Sequence, residues 1–179
     1  MPEARPFPLP PTWTWYRSPN HGPRKAHVPV SAVILHADAS PSIEGTLEWI
    51  ATPKPKNPNP VSYHVVVGRN GRVYVAVHPD RRAWHAGTSS LDGVADCNTF
   101  AVGVCLSNTN DGTELYPPAQ VMAAADVCAA LCRHYGIPVE RIVTHAHVSP
   151  GRKTDPKGFD VPAFRATVEQ MLAPTPRAA

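Results

Sequence analysis

Twenty-two prolines constrain this 179-residue chain more than any other feature. A prolyl nitrogen carries no hydrogen to donate, so proline breaks helix interiors and inner strands. Many of the prolines lie near the two ends and in the stretch from Pro53 to Pro60, which read as ordered arms and loop. Between them, hydrophobic residues at 42% and charged residues at 17% give a globular rather than a disordered balance. The length suits one domain with a substantial core.

Val30 to His36 is an apolar, β-branched run that reads as a buried strand, ending in polar Ala37-Asp38-Ala39-Ser40. Ile43, Leu47 and Ile50 recur at helical spacing and predict a short amphipathic helix over 43–51. Ser62–Gly68 and Arg72–Val77 are β-rich runs around Asn70-Gly71, a dipeptide suited to the positive φ values of a tight hairpin. Phe100–Leu106 is a further buried strand. Pro118–Tyr135 is the main helix, with proline at its start and Gly136 at its stop. Ile142–Val148 reads as a strand, and Asp160 as the cap of a last helix reaching Leu172. Strands interspersed with helices imply a single α/β domain with a central mixed β-sheet flanked by helices. Residues 1–29 form a Pro-rich, irregular N-terminal arm that packs Trp13, Trp15 and Tyr16 on the main domain of residues 30–173, and residues 174–179 form a C-terminal tail.

The formal net charge of +3 is mild and suits an anionic polymer as well as many other partners. No dense Lys/Arg run supports nucleic-acid binding, and no segment is long and apolar enough to span a membrane. Met1–Pro11 lacks a basic stretch followed by an apolar run, so it reads as no signal peptide. Cys97, Cys105, Cys128 and Cys132 form no CxxC pair and read as buried thiols rather than a zinc ribbon.

Of nine histidines, most have ordinary roles. His134, for instance, suits the negative end of a helix dipole, and His64, next to Tyr63, points to the opposite strand face and packs. His36 and His145 differ, because each lies at or near the C-terminal end of an apolar strand and can point into a cleft. Two histidines and Asp155, carried in the Pro150–Pro156 loop, make a three-ligand set of the kind that catalytic zinc uses with one position left for water. Spacing alone does not choose between His145 and His147, which would share a strand face.

The run His145-Ala-His-Val-Ser-Pro-Gly-Arg-Lys-Thr-Asp155-Pro resembles the zinc loop of the N-acetylmuramoyl-L-alanine amidase family. That family includes phage amidase-type lysozymes, bacterial muropeptide-recycling amidases and animal peptidoglycan-recognition proteins. Ile34-Leu-His36, Val61-Ser-Tyr-His-Val-Val-Val-Gly-Arg-Asn-Gly71, Arg82-Ala-Trp-His-Ala-Gly87, and Cys97-Asn98 leading into Val102–Leu106 agree with it in order. The resemblance covers roughly residues 30–172 and makes residues 30–173 an amidase-like catalytic domain.

It implies one zinc ion held by His36, His145 and Asp155, with His147 outside the ligand set. It implies Lys153 and Tyr63 as catalytic residues that stabilise a developing oxyanion, although a solvated lysine and a strand aromatic are the commoner roles of those residue types. His85 and Asn98 match positions near the substrate groove. Recycling amidases carry a glutamate where this chain has Cys105, whereas phage enzymes carry a cysteine and use the tyrosine. The expectation is therefore a monomeric, zinc-dependent amidase acting on bacterial peptidoglycan as a phage-type endolysin, made in the cytoplasm and reaching the wall by another route. The alternatives are a cytoplasmic muropeptide-recycling amidase and a non-catalytic peptidoglycan-binding protein. A regulatory partner of another protein finds no sequence support.

Overall fold

A computed structural model describes residues 5–53, 56 and 59–174. Most of the tail at 174–179, the first four residues of the arm, and Lys54, Pro55, Asn57 and Pro58 of the 53–60 loop lie outside the described residues.

Two strands carry the architecture. Ala32–Ala37 (β3) and Ala101–Leu106 (β9) are buried at every residue and pair in parallel, with His36 opposite Cys105. Such near-continuous apolar runs belong inside a sheet covered on both faces. Around them Thr14–Trp15 (β1), Val65–Val67 (β4), Val73–Val75 (β5) and Ile142–Thr144 (β10) complete a six-stranded mixed sheet in the order β1-β5-β4-β9-β3-β10. Only β4 and β5 pair antiparallel within it. Two small ribbons, His21–Pro23 (β2) with Arg81–Ala83 (β6) and Ser90–Leu91 (β7) with Val94–Ala95 (β8), lie outside the main sheet.

Alternation along β3 and β9 sends side chains to two cores. Val33, Leu35, Val102, Val104 and Leu106 face helices Pro118–Tyr135 (α2) and Val161–Leu172 (α4), meeting Cys128, Leu131, Phe164 and Val168. The other face is covered in two patches. Ala32 and Ile34 meet Ala86, Leu91, Cys97 and Phe100, while Cys105 and Val66 meet Leu47 and Ile50 of helix Ile43–Ala51 (α1). His36 and Gly103 share this second face.

The helix ends follow local chemistry. Ser42 Oγ accepts from the Gly45 amide at the start of α1, and an Asp160 carboxylate oxygen accepts from Ala163 at the start of α4. Gly136 stops α2 in the left-handed region at φ 68°. All four cysteines are buried free thiols.

Three expectations are corrected. The Ile142–Val148 run is not one strand, because Thr144 Oγ1 accepts from the His147 amide and caps a helical turn over His145–Val148 (α3). The hairpin does form, but its turn spans Gly68–Arg72. The Gly68 amide bonds the Arg72 carbonyl, and Gly71 alone is left-handed, at φ 80°. Regular pairing on its first strand shrinks to Val65–Val67, because two amides, of Ala76 and Val77, converge on the His64 carbonyl in a bulge.

The third correction concerns the arm, which is not merely draped on the domain. Its β1 extends the sheet, its β2 pairs with β6, and Phe7 is buried against Trp13 and Tyr135. Trp13 and Tyr16 pack as expected, whereas Trp15 stays 42% exposed, stacked with His78 and covered by Arg17. Arg24 reaches inward. Its guanidinium donates to the carbonyls of Pro79, Thr99 and Ala101 at 2.8–3.2 Å and lies 3.2 Å from His64 Nε2.

Burial lowers the Arg24 pKa to about 10, which leaves it charged at neutral pH. Arg24→Met removes the donors and strands three carbonyls, so urea denaturation should show a loss of about 3 kcal/mol. A loss under about 1 kcal/mol would reduce this anchor to a surface contact.

Candidate active site

The site is built where β3 ends. His36 is its next-to-last residue and is wholly buried. His145 opens α3 immediately after β10, the parallel neighbour of β3, so the two strand ends bring the imidazoles together. The loop after α3 folds back and bonds the Ala146 amide to the Asp155 carbonyl, which returns the Asp155 side chain to the same point.

His36 Nδ1 and His145 Nδ1 are 3.1 Å apart. Asp155 Oδ2 lies 3.0 Å from His145 Nδ1 and 3.4 Å from His36 Nδ1. Tetrahedral zinc with bonds near 2.0–2.1 Å separates adjacent ligand atoms by about 3.3 Å. Two imidazole nitrogens and one carboxylate oxygen at those spacings fit such an ion. Among the described residues, these three form the group suited to hold a metal. His147, on the far side of the helical turn, is exposed and takes no part.

The electrostatics keep the ligands ready. Burial, reinforced by the neighbouring His145 and Lys153 charges, lowers the His36 pKa to about 4, against the opposing pull of Asp155. Burial pushes Asp155 upward, but hydrogen bonds to His145 and His36 outweigh it and hold the carboxyl well below the ordinary aspartate range. At neutral pH the set is thus an unprotonated imidazole beside a carboxylate.

A cleft of about 630 Å³ is lined by His145 and Asp155, with His36 buried just behind them. Lys153 and Tyr63 both line it. The lysine is exposed, with its backbone amide tied to the Ser149 carbonyl. Tyr63 lies with its ring 5.2 Å from that of His36, and its hydroxyl hydrogen-bonds Cys105. Burial, then the nearby Cys105, Asp155 and Asp38, raises its pKa well above the usual phenol value, so it acts as a donor and not as a base. Burial likewise keeps Cys105 a thiol.

His85 and Asn98 sit beside the His36–His145–Asp155 group. His85 Nδ1 is 3.0 Å from His36 Nε2. Asn98 Oδ1 accepts from the backbone amides of both His85 and Ala86, at 3.0 and 2.8 Å. His64 does point away from Tyr63. Its Nδ1 accepts from the Gly103 amide and its Nε2 meets the Arg81 carbonyl.

Several participants carry no evident sequence signal. Arg152 ties the 86–88 and 149–152 segments together through the carbonyls of Ala86 and Thr88 and Ser149 Oγ. Asn110, left-handed at φ 58°, donates to Thr154 Oγ1 and accepts from the Lys157 amide, bracing the loop that bears Lys153 and Asp155. Asp38 accepts from Thr46 Oγ1 and the Asn108 amide, joining the end of β3 to α1 and to the strand-end loop after β9. Gly103 did carry a signal, since a glycine inside an apolar strand marks a close approach.

A family model described as N-acetylmuramoyl-L-alanine amidase matches residues 26–158. The 1,6-anhydro-N-acetylmuramyl-L-alanine amidase AmpD of Salmonella typhimurium is 39% identical over 109 residues, covering 60% of this chain and 57% of that relative. The match therefore spans little more than half the relative's length. A crystal structure of an AmpD selenomethionine derivative superposes with a TM-score of 0.73 at 29% identity, over 89% of this chain and 96% of the other. Escherichia coli AmiD, solved in complex with anhydro-N-acetylmuramic acid-L-Ala-D-γ-Glu-L-Lys, gives 0.68 at 26% identity, over 80% of this chain and 59% of the other.

The lowered pKa of His36 sets a pH dependence for the metal-free protein. Between about pH 6.5 and 4 the unfolded chain takes up a proton that folded His36 refuses. Stability is therefore intact above that window and falls as pH drops through it, by about 3 kcal/mol from His36 alone. Buried His64 and His85 are shifted the same way. Urea midpoints in the presence of chelator should decline steadily from pH 7 to 4, and a flat profile would contradict the neutral, buried state of these rings.

Proposed function

The chain belongs to the N-acetylmuramoyl-L-alanine amidase family, and on that premise we propose that it hydrolyses the amide between N-acetylmuramic acid and L-alanine with one zinc ion held by His36, His145 and Asp155. The observation that carries this reading is the 3.0–3.4 Å triangle of donor atoms at the floor of an open cleft. Zinc in that set supplies Lewis acidity and a water acidic enough to attack at neutral pH.

The protein's own groups do the rest. The cleft lets the lactyl carbonyl approach the ligand triangle, with Trp84, Asn110 and Thr154 on its walls. Negative charge developing on the carbonyl oxygen meets the Lys153 ammonium and the Tyr63 hydroxyl, both placed before reaction begins. Tyr63 donates rather than accepts, because its proton is held by burial. The C–N bond then breaks as its nitrogen takes up the proton given up by the attacking water, and the peptide amine beginning with L-alanine departs through the open side. Cys105, kept a thiol by burial, supplies no base.

The preferred substrate is a small anhydro-muropeptide, as for a cytoplasmic muropeptide-recycling amidase, rather than intact wall. The endolysin expectation rested on Cys105 with Tyr63 and on the N-terminal sequence. The overall likeness to AmpD, whose name specifies a 1,6-anhydro-muramyl substrate, and to AmiD weighs against it. A non-catalytic peptidoglycan-binding role is disfavoured because the full ligand set is present and convergent.

Digestion of small 1,6-anhydro-muropeptides beside purified sacculi, followed by mass spectrometry, tests this reading. The expected result is release of free peptide with at least tenfold preference for the small fragments. Preference for sacculi would reinstate the endolysin. Asp155→Ala should abolish zinc binding and turnover together. Lys153→Ala should retain zinc and lower kcat about 100- to 1,000-fold, and an unchanged kcat would remove Lys153 from the mechanism.

A further inference from the structure

We propose that His85 and Asn98 are positioning residues for the metal rather than substrate contacts, forming a bracket that orients both ligating imidazoles from behind. The inference rests on the metal-dependent reading above. Its basis is the placement of protons on six ring nitrogens beside one carbonyl.

If Nδ1 of His36 presents its lone pair to the ligand triangle, the ring proton of neutral His36 lies on Nε2. That nitrogen is 3.0 Å from His85 Nδ1, which must then accept. The proton of His85 is thereby placed on Nε2, a buried atom with no hydrogen-bond partner among the described residues. On His145, Nδ1 faces the triangle and Nε2 lies 3.2 Å from the Ala86 carbonyl, an acceptor only. The Nε2 proton of His145 points there. Each ligand ring therefore donates its outer N–H to an adjacent residue of one segment, His85 for the first and Ala86 for the second. Outer acceptors of this kind fix tautomer and ring orientation and raise ligand basicity.

The segment is held in place independently of any substrate. Asn98 Oδ1 receives the amides of both His85 and Ala86, so one carboxamide oxygen sets the position of both acceptors. Arg152 donates to the Ala86 carbonyl from the other side at 2.6 Å. The His85 ring lies flat against the strand at Gly103, where an added Cβ would fall 2.5 Å from its Cγ. Both side chains are almost fully buried at the edge of the cleft, and their hydrogen bonds run to His36 and to the 85–86 segment.

Four variants of the full chain test the bracket, with zinc affinity read by competition against a chromophoric chelator and folding checked by circular dichroism. His85→Ala and Asn98→Leu should each weaken zinc binding about 10- to 100-fold. His85→Gln and Asn98→Asp, which keep an acceptor oxygen, should recover most of that loss. Wild-type zinc affinity in His85→Ala, accompanied by a raised KM for muropeptide, would return His85 to the substrate groove and overturn the proposal. Equal losses in the alanine or leucine variant and its conservative counterpart would also overturn it, by assigning the effect to packing. If His85→Ala does not fold, the Asn98→Leu and Asn98→Asp pair decides alone. Absence of zinc binding in the wild type would instead overturn the metal-dependent function, and the bracket with it.

Discussion

Three polar atoms, His36 Nδ1, His145 Nδ1 and Asp155 Oδ2, are held within 3.0–3.4 Å of one another on side chains that are almost wholly buried. Bringing such groups together is unfavourable unless a cation or shared protons compensate them. The surrounding architecture is best understood as the support that makes this concentration sustainable. Parallel pairing of β3 with β10 brings the two histidine-bearing strand ends side by side. A capped turn aims His145, and a loop stitched by Arg152 and braced by Asn110 returns Asp155. Helices α2 and α4 cover the opposite face of the sheet, so the site face is free to carry polar groups.

Much of this was legible in the residues. Long apolar runs declared β3 and β9, and proline, glycine and aspartate marked the limits of α2 and α4. The His36–His145–Asp155 cluster was visible as strand-end histidines and a loop aspartate, and family likeness chose His145 over His147. The physical ground for that choice is the α3 turn. Thr144 was the available signal for it, but a seven-residue apolar stretch with two histidines reads equally as strand. His85 and Asn98 were found as residues near the groove, and both border the cleft, but their hydrogen bonds to His36 and to the 85–86 segment were not legible. Their contacts join segments far apart in sequence, and no periodicity encodes that. Cys105 beside Tyr63 inclined the reading toward an endolysin, although one buried thiol says little about substrate size.

The arm shows a different limit. Family likeness begins at residue 26, yet β1, β2, Phe7 and Arg24 lie before it. Arg24 satisfies carbonyls on both the β5–β6 connection and the start of β9, and it touches His64. Proline content suggested an appendage because proline excludes inner strands. An edge strand and a short outer ribbon tolerate it, which is how so proline-rich a segment joins the folded unit.

Gly103 carries a consequence beyond its own strand. Because His85 occupies the space where a Cβ would stand, a single methyl group there would be enough to displace the acceptor behind His36. Three intact ligands are then an incomplete mark of a competent metal site. In this chain the missing side chain at the middle of β9 is what leaves the His85 ring its place behind His36.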